Sequence, residues 1–317
     1  MRVVVLGAAG VRRTEMAIVR AARASGHPCR LVDVAGWHRR LGGLAGALVL
    51  RLAEGFRPDA VIFTRHAHHL EPEQVRALST GRAGGVWYFD YAPTPAPELL
   101  HLARAVGRLF VTCRSQLDAY RAAGIPQVFF LPQAMDPAYD RPAGRAPSRY
   151  RCDLSFVGSG QYPHRHELLR RLSGVAALQI RGPGWEGVAG LPVAGGPVWG
   201  KRFARVVAGA AVSLGAHAIA GQEHQVACDS NRIWKVLGCG GFYLGAWQPG
   251  SDAFARHGEH CAWYRDADDA VAQAERYLAL PEDRAGIAAA GREHALRQHT
   301  YAHRLPLLLE GRGHTIV

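Results

Sequence analysis

The chain has 317 residues, a net charge of +12, 48% hydrophobic and 20% charged residues. That apolar content supports large buried cores, the length suits two ordinary domains, and a disordered or low-complexity chain is excluded. No apolar run reaches the roughly 18 residues a membrane span needs, and "MRVVVLGAAG" reads as a strand and a glycine turn, so neither a spanning helix nor a signal peptide is expected.

The charge is carried almost wholly by arginine, since the only lysines are Lys201 and Lys235. A basic chain favours anionic partners such as nucleotides, nucleic acid or an acidic membrane surface. The six cysteines, Cys29, Cys113, Cys152, Cys228, Cys239 and Cys261, show no Cys-x-x-Cys or zinc-finger spacing. They read as reduced, mostly buried thiols, and a soluble cytoplasmic protein is the expectation.

In chain order, the first half alternates short apolar strands with helices. "RVVVLG" is followed by a helix from Glu15 to Ser25, "CRLVDV" by one from Leu41 to Glu54, and "PDAVIFT" by one from Glu73 to Ser79. "GVWYFD", a helix from Pro97 to Val106, "RLFVT", a helix from Ser115 to Ala123 and "QVFFLP" complete it. Continuous apolar strands separated by helices predict a parallel sheet covered on both faces, an α/β Rossmann-like domain over 1–135. A segment rich in proline and arginine, 136–150, reads as a linker.

The alternation restarts at "CDLSFVG" and continues through "ALQIRG", "AAVSLG" and "CAWY" to helices over Asp268–Leu280 and Pro281–Gln298, a second Rossmann-like domain over 151–298. Two such domains bind ligands in the cleft between them, at the carboxyl ends of their strands.

Several loops carry polar residues at those ends. "GAAGVRR" places Gly7, Gly10 and Arg12 after the first strand, as an anion-tolerant glycine turn lacking the third glycine of a dinucleotide fingerprint. Asp33 stands where that fingerprint puts a ribose acid. "TRHAHHLE" puts His66 at the cleft mouth as a proton acceptor or hydroxyl binder, against the alternative of a solvated histidine loop. Asp90, ending "WYFD", is either a base or the cap of the following turn.

In the second half, "FVGSGQYPHRH" offers Gly158, Ser159 and Arg165 to a diphosphate. His164 and His166 lack the partners of a metal site. "HAIAGQEHQ" contributes Glu223. "CDSNRIWKVLGCGGFYLG", Cys228 to Gly245, reads as a cap at Asp229 or Ser230, a helix from Asn231 to Leu237, a glycine stop and a strand. Asn231 and Lys235 share one face of that helix. "GWHRRLGGLAGALVLRLAEGF", Gly36 to Phe56, suits an anionic membrane surface, although such helices more often pack on their own sheet.

"DLSFVGS" with Arg165, "SNRIWKVLGCGGFYL" from Ser230 to Leu244, and "PEDRAGIAAAGREHALRQHTYAHRLPLLL" from Pro281 to Leu309 occur in the order and spacing of a group 1-type glycosyltransferase. They are similar to those of bacterial spore-maturation glycosyltransferase-like proteins. The resemblance implies a GT-B architecture, with a nucleotide-diphosphate sugar held mainly by the second domain and a hydroxyl-type acceptor by the first.

It further implies that Ser230, Asn231, Arg232 and Lys235 hold the donor nucleotide, and that the tail, 299–317, crosses back to the first domain with His299, Tyr301 and Arg304 in structural roles. The chain departs from related retaining enzymes where two glutamates eight positions apart are replaced by Ala227 and Lys235. No cofactor beyond the donor is implied, and with no Asp-x-Asp motif no metal is expected. The acceptor is a glycan, a lipid-linked group or a small molecule, with anionic membrane contact compatible and nucleic acid not expected. Two other readings remain, a binding protein that keeps this fold without turnover and an NAD-dependent oxidoreductase.

Overall fold

A computed structural model describes residues 1–218, 221, 224–228 and 230–315. The chain divides into two compact units, one of Met1–Gln133 with Tyr301–Thr315 and one spanning Ala134–Thr300.

In the first unit, strands β1 (Val3–Gly7), β2 (Cys29–Asp33), β3 (Ala60–Phe63), β4 (Ala83–Tyr88), β5 (Arg108–Val111) and β6 (Gln127–Phe130) form one sheet. Its order is β2-β1-β3-β4-β5-β6, all pairs parallel. The central position of β1 explains its composition, because a strand covered on both faces must be apolar throughout, and Val3 to Leu6 are fully buried. Helices α1 (Thr14–Ala24), α2 (Val34–Leu41), α3 (Ala45–Glu54), α4 (Pro72–Ser79), α5 (Pro97–Val106) and α6 (Leu117–Ala122) connect the strands. Val49, Val75, Leu78, Leu99 and Leu102 pack from these helices onto Val4, Leu6, Val61 and Phe63. At the start of α4, Glu71 and Gln74 form a reciprocal capping box ahead of Pro72.

The helix expected over Leu41–Glu54 begins at Ala45 instead, after a 3-10 turn over Gly42–Leu44, and a separate helix, α2, precedes that turn. The Asp33 carboxylate caps α2 by accepting from Gly36 N at 2.9 Å, and the chain then breaks at Gly42, whose φ of 55° and ψ of −134° leave the helical region. Paired glycines offer little helix propensity to resist the break, whereas the apolar periodicity runs on through it and hides it from the sequence.

The second unit contains β7 (Cys152–Val157), α7 (His164–Ser173), β8 (Leu178–Arg181), β9 (Val193–Gly195), α8 (Lys201–Gly209) and β10 (Ala210–Leu214). It continues with α9 (Arg232–Gly238), β11 (Tyr243–Ala246), α10 (Ser251–Phe254), β12 (Ala262–Tyr264), α11 (Ala267–Ala279) and α12 (Pro281–Gln298). Its parallel sheet runs β12-β11-β10-β7-β8-β9. The edge strand β9 was not expected from the sequence, since its three residues are largely exposed and carry no apolar alternation.

Residues 136–150, read as a linker, are ordered turns of this second unit. Asp136, Asp140 and Tyr150 are buried. Asp140 accepts from Asp136 N at 3.0 Å and Asp136 from Ala138 N at 3.1 Å, local carboxylate turns that serve backbone groups between the prolines.

At the end of α12, His299 remains in the second unit, stacked on Trp234 with ring centroids 4.0 Å apart, and its carbonyl accepts from Met135 N at 2.9 Å. Helix α13 (Tyr301–Glu310) then belongs to the first unit and packs on α1 and β4. Tyr301 meets Trp87 edge-on at 5.9 Å. Arg304, 1% exposed, donates through Nε to Pro132 O at 3.0 Å. Both sheets are doubly wound α/β units.

The packing of α12 carries a pH prediction. His260 and His294 stack at 3.9 Å, and His294 Nε2 lies 3.1 Å from His299 Nε2. Burial is the main cause that pulls both His260 and His294 below the ordinary imidazole range; the neighbouring His294 adds to it for His260, while Glu259 opposes it for both. The unfolded chain therefore binds protons that the folded chain refuses. Stability is complete above the unfolded value of about 6.5 and falls as pH drops from there through the folded values. Urea denaturation at pH 7.5 and pH 5 should show lower stability at pH 5, with the difference lessened by His294→Phe. Equal stability at the two values would contradict the buried neutral pair.

Candidate functional site

The strand order of the second unit reverses beside β7, which continues to β8 on one side and has β10 on the other. Loops at the carboxyl ends of β7 and β10 thus diverge at a topological switch point. Gly158 follows β7. Its N–H donates to Arg181 O at 2.9 Å, and its carbonyl accepts from Trp185 Nε1 at 2.9 Å. A β-carbon there would stand 2.7 Å from the Phe156 ring and 2.8 Å from Arg232 Nη2, so this glycine makes room for the arginine.

Arg232 opens α9. Its Nε donates to Val157 O at 2.9 Å, and its guanidinium lies over the Phe156 ring at 4.8 Å. Its Nη1 is buried and has no hydrogen-bond partner among the described residues. Arg165 approaches the same ring at 5.5 Å and Tyr162 at 4.7 Å. Its donors are used internally, through Nε to His217 O at 2.9 Å, Nη1 to Ser159 O at 2.9 Å and Nη2 to Ala216 O at 3.4 Å.

Burial, followed by repulsion from Arg232, pulls Arg165 down to about 9, and burial pulls Arg232 down as well. Among the described residues, the ionisable groups acting on Arg232 are Tyr243 and Tyr264, with no carboxylate among them. Tyr264, itself raised by burial, is spent on Gly215 O, to which it donates at 2.6 Å. Two adjacent guanidinium groups with no facing acid among the described residues form a cationic centre that an anionic ligand would neutralise.

The surrounding sequence candidates fall into place unevenly. Ser159 is a turn residue, its Oγ accepting from Gln161 N at 3.3 Å. The exposed Ser230 accepts from Arg232 N at 3.4 Å through Oγ. Asn231 occupies the cap position of α9 without a side-chain capping bond, and it and Lys235 are half-buried. Glu223 and Asp229 lie outside the described residues. The helix ends as the glycines predict. Gly240, at φ +77°, donates to Leu237 O at 2.9 Å and Gly241 to Val236 O at 3.0 Å, a Schellman closure that turns the chain into β11.

The first unit's candidates gather at the carboxyl ends of β1, β3 and β4. Gly7 is buried, and a β-carbon there would meet Thr64 Oγ1 at 2.5 Å and Glu15 Cγ at 2.7 Å, so its lack of a side chain serves packing rather than ligand approach. Gly10, at φ +146°, turns the loop so that Arg13 N donates to its carbonyl at 2.9 Å, and Arg12 is exposed. Asp33, besides capping α2, accepts from Ala9 N at 3.0 Å, which commits it to the backbone rather than to a ribose.

His66 lies half-buried in a short helical turn, Arg65–His69. Burial and then Arg65 lower its affinity for a proton, so the neutral imidazole dominates near pH 7. Asp90 is paired with Arg65 Nη1 at 2.5 Å, both side chains about half exposed. This ion pair competes with service as a free base.

Sequence reading missed Glu15 and Thr64. Glu15 is buried, with Oε1 accepting from Thr64 Oγ1 at 3.0 Å and Ala8 N at 3.3 Å, and so fixes the loop after β1. An acid in a first helical turn signals only a favourable dipole contact, which concealed this role. The tyrosines around Arg165 and Arg232 were missed because aromatic residues beside strands read as core. Among the described residues, no three His, Cys, Asp or Glu side chains converge as metal ligands, and no helix is long and apolar enough to cross a membrane.

Residues 164–310 match the family model described as glycosyl transferase-like. No curated protein matches the chain by sequence. Among solved structures, Anabaena HepE in complex with UDP and glucose is similar at a TM-score of 0.68 with 12% identity, covering 98% of each chain. Sucrose-phosphate synthase from Thermosynechococcus elongatus is similar at 0.66 with 11% identity over 97% of each chain. A glycosyltransferase from Rickettsia africae is similar at 0.66 with 9% identity, over 98% of this chain and 97% of the other. At these identities the structural likeness establishes the fold, the GT-B arrangement of two Rossmann-like domains in one chain.

Proposed function

We propose that this chain, a GT-B glycosyltransferase by fold and by its glycosyl transferase-like domain over 164–310, takes a nucleoside diphosphate sugar in the second unit and transfers the sugar to a hydroxyl acceptor. The observation that carries this reading is the Arg165–Arg232 centre at the switch point, where the buried Nη1 of Arg232 has no hydrogen-bond partner among the described residues. A diphosphate supplies negative charge that none of the described side chains brings to Arg232. UDP and UDP-glucose, found with Anabaena HepE, are the first ligands to try.

In the transfer, an acceptor oxygen forms a bond to the anomeric carbon as the bond from that carbon to the diphosphate oxygen breaks, leaving both electrons and a growing charge on the diphosphate. Arg232 stabilises that charge, and Lys235 on the same helix adds to it, without a metal. Arg165 sets the background potential and holds the loops. On the acceptor side, neutral His66 is the group suited to take the hydroxyl proton, ahead of Asp90, which Arg65 already engages. An NAD-dependent oxidoreductase loses support because Asp33 is committed to the α2 cap.

A thermal-shift screen with UDP, GDP, dTDP, CDP, ADP and NAD tests the donor class, since a ligand that binds only the folded state raises the melting temperature. Stabilisation by one nucleoside diphosphate and sugar transfer from its glucose or other hexose conjugate is the expected result. Binding without turnover would instead favour the binding-protein reading, and stabilisation by NAD alone would overturn the donor assignment.

A further inference from the structure

The break between α2 and α3 leaves a feature that donor binding does not use. Residues 41–44, "LGGL", are all exposed, with Leu44 80% and Leu41 40% accessible. A β-carbon on Gly42 or Gly43 would meet nothing within 4 Å, so the tip stands clear of the rest of its unit. Arg39 and Arg40 precede it and are exposed, and Arg40 rests its guanidinium 5.6 Å from the Trp37 ring centroid.

From Val34 to Ala53 the chain carries Arg39, Arg40 and Arg51 and no Asp or Glu. Helix α3 then runs back to begin β3, so the tip lies on the side of the sheet where the strands end at their carboxyl termini. On that same side, the loop after β1 exposes Val11, 63% accessible, next to exposed Arg12.

We propose that this edge of the first unit docks on an anionic lipid bilayer, with Leu41 and Leu44 entering the interface and Arg39 and Arg40 meeting the headgroups. The choice of occupant follows from charge complementarity. Exposed leucines at a tip flanked by arginines and free of acids suit a surface that is apolar beneath and negative above. A second copy of this strongly basic chain would bring like charges together at the same tip. The docked edge is also the side of the first unit where His66 lies, so a lipid-borne acceptor would be presented beside it.

Cosedimentation of the full chain with unilamellar vesicles tests this, comparing phosphatidylcholine alone with a mixture containing 30 mol% phosphatidylglycerol, a probe composition chosen at roughly the anionic fraction that draws polybasic segments. Binding to the anionic vesicles should weaken at least about tenfold on neutral vesicles, at raised salt, and in R39E/R40E. L41S/L44S should also lose vesicle binding. Both double variants alter exposed residues, so their melting temperatures, and their stabilisation by whichever nucleoside diphosphate the screen identifies, should match the parent's.

Absence of binding to anionic vesicles, or equal binding by the variants, overturns the proposal. Concentration-dependent dimerisation abolished by L41S/L44S, with vesicle binding unchanged, would assign the tip to a second copy instead.

Discussion

Arg232→Met is expected to weaken nucleoside diphosphate binding at least about a hundredfold, on the scale of losing charge-assisted hydrogen bonds to phosphate. The unliganded protein should lose no more than about 1 kcal/mol, because opposing changes nearly cancel. The substitution removes the Nε bond to Val157 O and the cation over Phe156. It also removes a buried positive charge that repels Arg165, and methionine keeps an unbranched apolar stem against the ring.

Titration calorimetry with the diphosphate found in the screen, paired with urea denaturation, reads both effects. Arg232→Lys should recover only part of the affinity, since an ammonium lacks the planar fork that spans two phosphate oxygens. Undiminished affinity in Arg232→Met would remove the central support for the donor site.

Much of the fold was legible because periodicity reports burial directly. "RVVVLG" and "CDLSFVG" could be read as central parallel strands, since a strand covered on both faces leaves no alternation to misread. The Gly-Cys-Gly-Gly stop after Leu237 was legible for a conformational reason, as only a residue tolerant of positive φ closes a helix in this way. The break at Gly42 and the strand β9 were not legible, the first because its apolar pattern is continuous and the second because an exposed three-residue edge has no pattern.

The candidate site was legible by position more than by role. Gly158 and Arg165 were found because they follow a strand in a glycine turn, where polar residues stand out, and Arg232 through the resemblance of Ser230 to Leu244 to a glycosyltransferase segment. A sequence, however, does not reveal where a guanidinium spends its donors. Asp33 looked like a ribose acid and is a helix cap, and Gly7 looked like a ligand-facing glycine and makes room for Thr64 and Glu15.

The same distinction yields the second large effect, Arg165→Met. This arginine is 6% exposed and gives its donors to Ser159 O, Ala216 O and His217 O, thereby tying the loop after β7 to the loop after β10. Methionine would fill much of the volume but leave these carbonyls without the arginine's donors, at a cost of about 1–3 kcal/mol for each group that stays buried and unsatisfied. Relief of repulsion from Arg232 offsets part of this, so a net loss of about 4 kcal/mol is expected.

The two arginines therefore separate experimentally. Arg232→Met should lose ligand with little change in unliganded stability, whereas Arg165→Met should lose stability first, with ligand binding falling because the loops that frame Arg232 part. Urea denaturation of unliganded Arg165→Met decides the matter. A loss below about 1 kcal/mol together with abolished binding would mean that Arg165 reaches the diphosphate itself and that its three carbonyl contacts are dispensable to the fold.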